Sequence, residues 1–315
     1  MNTLSKELNR YLTIRRGLGY DLRTAERILR RFIAFVQQQG ADHITADLFL
    51  QWQQDTSGAS RQTRAGQLGA VRPFAAWLHG IDPGHEVLPK ALISCRRRRP
   101  LPYIYSEDEI RQIVEAAAEL PSLNGIRALT CAALFGLIAV TGLRVSEALS
   151  LGADDIDMET GVLTLRCGKL GKERLLPLSE STTAQLAAYA AQRDRLCGDR
   201  PEPFFVSDRG ARMTDCGARY NFAAVCQTIG LRPVQKFDRH GRGPRIHDLR
   251  HSFAVRTLIN WYRTDKDPAC EMIKLSTYLG HADPANTYWY IEAVPELLEL
   301  ASRRATDSLA VEVRP

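Results

Sequence analysis

Between residues 81 and 102 the chain is punctuated so heavily that no regular element can cross it. Ile81-Asp-Pro-Gly84 and Val87-Leu-Pro-Lys90 precede four adjacent arginines, Arg96 to Arg99, and then Pro100-Leu-Pro102. Proline fixes φ and removes an amide donor, and closely spaced prolines and glycines mark turns or linkers. This break predicts two folding units, a domain over residues 1–95 and another over 103–315, joined by a basic linker at 96–102. The full length of 315 residues suits two domains of ordinary size.

Charge divides at the same place. Residues 1–100 carry 16 Lys and Arg against 8 Asp and Glu, whereas the remainder carries 26 against 28. A basic first third predicts a polyanionic partner. Seven cysteines without a CxxC pair argue against a disulfide framework or a zinc ribbon and fit a reducing compartment. The N-terminus lacks the apolar stretch of a signal peptide. The longest uncharged run, Ala128 to Leu143, falls short of the roughly 20 residues a membrane span needs and reads as a buried helix. A cytoplasmic protein associated with the nucleoid, with no membrane partner, is expected.

Periodicity predicts a mainly α protein with a small antiparallel β-sheet. In the first unit Leu22, Ala25, Leu29, Phe32 and Val36 recur at three- and four-residue spacing with arginines between them, and shorter helices are expected at about 3–17, 45–54 and 60–79, the last kinked or interrupted at Pro73. The second unit opens on the capping box Ser106-Glu-Asp-Glu109. A buried helix (about 124–140) and a short helix from Arg144 to Leu151 follow. Residues 161–166 and 173–178 then form a hairpin whose tip holds Gly168-Lys-Leu-Gly-Lys172, and helices are expected at 181–197, 215–229, 247–264, 268–279, 284–291 and 295–308.

Chemistry concentrates in five short motifs of the second unit. His247-Asp-Leu-Arg250-His251 opens a helix, so positions 247, 250 and 251 share a face. A metalloprotease reading fails, because Asp248 stands where a glutamate base is needed and Arg250 would repel the cation. A face of Arg and His suits phosphate instead. Thr141-Gly-Leu-Arg144 places an arginine after a glycine break with Glu147 one turn on, Lys169 sits at the hairpin tip with Lys172 behind it, and Leu279-Gly-His281 is followed nine residues later by Tyr290. Taken singly, each has a plainer explanation as an ion pair, a solvated lysine or an aromatic packing group.

In this order and at these intervals the motifs resemble those of the tyrosine recombinase (phage integrase) family. The resemblance implies a SAM-like helical core-binding domain followed by a catalytic domain, a site-specific DNA strand transferase that needs no metal, ATP or other cofactor, and Xer-like or transposon-encoded relatives. It makes Arg144, Lys169, His247, Arg250 and His281 the activating set and Tyr290 the nucleophile. Tyr288 lies about 200° away on a helix and cannot face the same site. The residue types agree with this chemistry: Arg144, Arg250 and His281 can stabilise charge on the phosphate, His247 can take the phenol proton, and Lys169 can protonate the departing 5′ oxygen. The product is a 3′-phosphotyrosyl bond. Double-stranded DNA with paired core sites, a homotetramer on the synapsed DNA and phosphate contacts from Arg96, Arg97, Arg98 and Arg99 are implied partners and contacts. A type IB topoisomerase and a non-catalytic DNA-binding regulator on the same fold are the alternatives.

Overall fold

The computed structural model describes residues 3–55, 58–95, 101–166, 173–198, 200–233, 243–264, 266–281, 283 and 285–312. It divides into two compact units, Met1–Pro100 and Leu101–Pro315.

The first unit contains α1 (Thr3–Gly17), α2 (Arg23–Gln38), α3 (Ala46–Asp55) and α4 (Arg61–His79). Its core is built from the apolar stripes of these helices, with Leu8, Leu29, Phe32, Phe49, Val71 and Phe74 all essentially inaccessible. Phe32 meets Phe49 edge-on at 5.8 Å and Trp52 at 5.1 Å between ring centroids. Helix α4 begins at a Ser60 cap, whose hydroxyl accepts the Thr63 amide at 3.1 Å. It runs through Pro73 without a break, against the expected interruption. Leu68 and Val71 before the proline and Phe74, Ala75 and Leu78 after it are buried in one core, so packing holds together the turns that the missing amide would let part.

The second unit opens with α5 (Glu107–Ala118), whose capping box forms as the sequence predicts: Glu109 N donates to Ser106 Oγ at 3.1 Å and Ser106 N to Glu109 Oε2 at 2.8 Å. Helix α6 (Ile126–Thr141) is the central element, burying Cys131, Leu134, Phe135 and Ile138. After the single-turn α7 (Val145–Ser150) comes an antiparallel sheet of order β1-β2-β3, made of β1 (Ile156–Asp157), β2 (Val162–Leu165) and β3 (Arg174–Pro177). Leu163 pairs with Leu176 and Leu165 with Arg174. The two-residue β1 is not expected from sequence, since two residues carry no alternation to read.

The remaining helices are α8 (Glu180–Cys197), α9 (Asp215–Thr228), α10 (Ile246–Arg263), α11 (Pro268–Leu279), α12 (Ala285–Ala293) and α13 (Pro295–Glu312). Their C-terminal members form a separate apolar cluster, with Leu258, Met272, Leu275, Leu279 and Leu297 packed around Tyr290. No helix among the described residues is long and apolar enough to cross a membrane.

Candidate active site

The site is assembled where α6 ends, α7 and α10 begin, and α11 passes into α12. Gly142 caps α6 with φ +64°, a left-handed conformation, and its carbonyl turns back to accept Arg250 Nη1 at 2.7 Å. Arg144 then starts α7. Its amide donates to Glu147 Oε2 at 2.9 Å, Nη1 to Oε1 at 2.6 Å, and Nη2 to the Gly280 carbonyl at 3.0 Å. The pair expected from sequence is therefore present, but Glu147 is buried and shared more widely. Arg174 Nη2, from β3, bonds Oε2 at 2.8 Å, and Arg250 Nη1 lies 4.0 Å from the same oxygen. Burial tends to raise the Glu147 carboxyl, but the Arg144 amide and the charges of Arg174 and Arg144 outweigh it and hold the group below the usual range. Three guanidiniums around one carboxylate leave a net positive centre.

Arg250 is 1% exposed. Its Nη1 is committed to Gly142 and its Nη2 to the Leu279 carbonyl (2.7 Å) and His281 Nε2 (3.0 Å). Burial, with the Arg144 charge adding to it, pushes the guanidinium down to about 10, so it remains charged at neutral pH.

His281 follows Gly280, whose φ is +66°. An arginine can only donate, so His281 Nε2 is the acceptor from Arg250, and Nδ1 carries the proton toward Thr287 Oγ1 at 2.7 Å. The ring is thus neutral, and burial together with the charges of Arg250, Arg144 and Arg174 lowers it to about 4.

Tyr290 is 2% exposed and Tyr288 47%, as their 200° separation requires. The Tyr290 ring stacks near His281 at 6.4 Å, and its hydroxyl meets His251 Nδ1 at 3.1 Å. His247 stands edge-on to His251 at 4.7 Å between centroids. Burial lowers His247 to about 4, with the Arg250 charge second, and lowers His251 to about 3, with His247 second. Asp248, between them in sequence, is buried and receives the Arg245 amide at 2.8 Å and guanidinium at 2.9 Å.

Arg144, His247, Arg250, His281 and Tyr290 therefore converge. Lys169 and its neighbour Lys172 lie outside the described residues, as do Arg96, Arg97, Arg98 and Arg99. Arg174 reads in the sequence only as one residue of a short strand, and Thr287, though it shares α12 with Tyr290, falls in none of the motifs. His251 is legible on the face it shares with His247 and Arg250, but no motif gives it a task.

Cations and neutral imidazoles converging on one spot suit an anion, and a divalent cation there would meet three guanidiniums. Elsewhere, His43, Asp82 and His85 bring potential metal-ligand atoms within 4.8 Å of one another. His85 Nδ1, however, accepts the Ile44 amide (3.0 Å) and His43 Nε2 meets Asp82 Oδ2 (3.0 Å). A cation would have to displace these bonds, so the trio reads as a tie between two loops.

Residues 104–296 match the Phage integrase family. The integrase/recombinase y4rB of Sinorhizobium fredii is 40% identical, over 96% of this chain and 97% of its own. Tyrosine recombinase XerD of Caulobacter vibrioides is 32% identical, over 89% of this chain and 86% of its own. Among solved structures, the Tn1549 transposon integrase in complex with transposon right end DNA has a similar fold, with a TM-score of 0.64, 15% identity and coverage of 96% of this chain and 99% of that one.

Proposed function

The chain belongs to the phage integrase family, and on that premise we propose how its residues divide the work of a tyrosine-type site-specific DNA recombinase. Such an enzyme breaks and rejoins DNA through a 3′-phosphotyrosyl intermediate, in integration, excision or resolution. Tyr290 Oη attacks the scissile phosphorus. Arg144 and Arg250 face the non-bridging oxygens, where negative charge grows in the transition state. His281 joins them once the incoming phosphate takes over the Arg250 N–H: the ring then takes its other tautomer, with the proton on Nε2 and Nδ1 accepting from the Thr287 hydroxyl. His247 stands beside His251 in the same cluster, and Lys169 protonates the departing 5′ oxygen. The linkage energy is held in the phosphotyrosyl bond, so rejoining to a different 5′ hydroxyl needs no nucleotide hydrolysis.

The observation that carries this reading is the commitment of Arg250 before any substrate arrives. Three of its five N–H donors are already bonded, to Gly142, Leu279 and His281. A buried guanidinium held in this way presents its charge without reorganising during the reaction, which is how electrostatic stabilisation becomes effective. The same convergence of these five side chains disfavours a purely regulatory DNA-binding role.

In this reading residues 1–95 form a core-binding domain on duplex DNA, 96–102 a linker whose Arg96, Arg97, Arg98 and Arg99 touch phosphates, and 103–315 the catalytic domain. The substrate is double-stranded DNA with paired core sites, on which four copies assemble at synapsis, in the cytoplasm at the nucleoid.

The test starts from cells, where the protein itself selects its target sequence. DNA bound covalently to the wild-type protein is recovered and sequenced, and Tyr290→Phe is expected to bind the recovered site without forming the adduct. An adduct from Tyr290→Phe, with none from Tyr288→Phe, moves the nucleophile. Reciprocal exchange between two duplexes carrying the site separates recombination from strand relaxation.

A further inference from the structure

We propose that His251, rather than His247, is the base that takes the Tyr290 proton, with Asp248 supporting it. The proposal rests on the reading of Tyr290 as the nucleophile. Its geometric basis is a relay from α12 into α10: Tyr290 Oη lies 3.1 Å from His251 Nδ1, and His251 Nε2 lies 4.0 Å from Asp248 Oδ1.

The tautomer follows from the partners. With Nδ1 accepting the phenol hydrogen, the neutral ring carries its own proton on Nε2, the nitrogen that faces the carboxylate. Asp248 is buried and oriented by the Arg245 amide and guanidinium. It is thus placed to stabilise the imidazolium that forms, as a third group does in nucleophile–base pairs generally. The His251 ring is also held by Trp289, at 5.6 Å between centroids, and by His247.

The step balances without any further reagent. The bond from Tyr290 Oη to phosphorus forms, the bond from phosphorus to the 5′ oxygen breaks, the phenol proton passes to His251 Nδ1, and the 5′ oxygen receives a proton from the acid assigned above to Lys169. On rejoining, each proton returns.

Around His251 stand Arg245, His247, Asp248 and Arg250 from its own helix, His281 from the loop ahead of α12, and Tyr290. Positive neighbours outnumber the single carboxylate. Burial leads in keeping the ring neutral, with those charges adding to it, and a base must be neutral to accept a proton.

The experiment uses the full chain and a nicked duplex carrying the site recovered by covalent capture. His251→Asn keeps an acceptor oxygen near the Nδ1 position but cannot take a proton. It is expected to bind DNA and unfold as the wild type does, yet to cleave in single turnover at pH 7 slower by about 10² to 10⁴. Its rate should climb about tenfold per pH unit as hydroxide replaces the missing base, while the wild-type rate stays level. Near-normal cleavage by His251→Asn, or a deficit that does not shrink with pH, overturns the proposal. So does a pH-dependent deficit found in His247→Asn instead. An adduct formed by Tyr290→Phe in the same assay condemns the nucleophile assignment rather than the base.

Discussion

At Arg250 a charge alone would not do the work that the geometry requires. Lysine offers one ammonium where the guanidinium reaches Gly142, Leu279 and His281 at once. Arg250→Lys is expected to lower single-turnover cleavage by about 10² to 10³ or more, as the loss of one preorganised donor commonly does. It should also cost about 1–3 kcal/mol of stability for each buried carbonyl left unpaired. Cleavage near the wild-type rate would make the residue structural. The three histidines beside it set a pH dependence of folding. His247 and His281 sit at about 4 and His251 at about 3, whereas an unfolded histidine titrates near 6.5. Between those values the unfolded chain binds more protons than the folded one, so stability falls as pH drops from about 6.5 toward 4 and is level above 7. A loss on the order of a few kcal/mol is expected, read as a falling thermal midpoint between pH 7 and pH 5. A constant midpoint would mean that these rings take up protons as readily in the folded protein as in the unfolded chain.

The elements matter chiefly through their ends. Arg144, Arg250 and His281 are carried in the first turns or just beyond the ends of helices and Arg174 at the start of β3, where the chain leaves one element and enters another, and glycines set two of those exits. A Cβ on Gly142 would come within 2.5 Å of the Phe253 ring in addition to facing the left-handed penalty, and one on Gly280 would overlap the Arg174 guanidinium. Gly142→Ala is expected to cost about 1–2 kcal/mol for the backbone alone and more for the ring it displaces, and to abolish cleavage by shifting Arg144 and the carbonyl that holds Arg250. The thermal midpoint and adduct yield would be measured together; wild-type values for both would show that the turn tolerates a side chain. Helix α6, the capping box at Ser106 and the face shared by His247, Arg250 and His251 were legible in the sequence, because each rests on spacing within about one turn. Continuity through Pro73 and the strand β1 were not, since the first depends on residues packed from other helices and the second exists only as a partner for β2.

For the whole molecule, charge distribution sets how it meets DNA. The basic excess lies in residues 1–100, and each phosphate neutralised releases counterions, so affinity should fall steeply with salt. Replacing Arg96, Arg97, Arg98 and Arg99 with glutamine is expected to flatten the slope of log K against log salt by about one for each arginine that touches a phosphate. An unchanged slope retires the linker contacts and leaves the catalytic assignment standing. By itself the sequence determined the helical character, the break near residue 100 and five of the converging side chains, all carried by local period or by motif order. Only the tertiary structure decided that Arg174 joins Arg144 and Arg250 around Glu147, and that the Tyr290 hydroxyl meets His251. Those contacts join residues 27 and 39 positions apart, and no local pattern encodes a distance that is closed only when separate helices and a strand pack on one core.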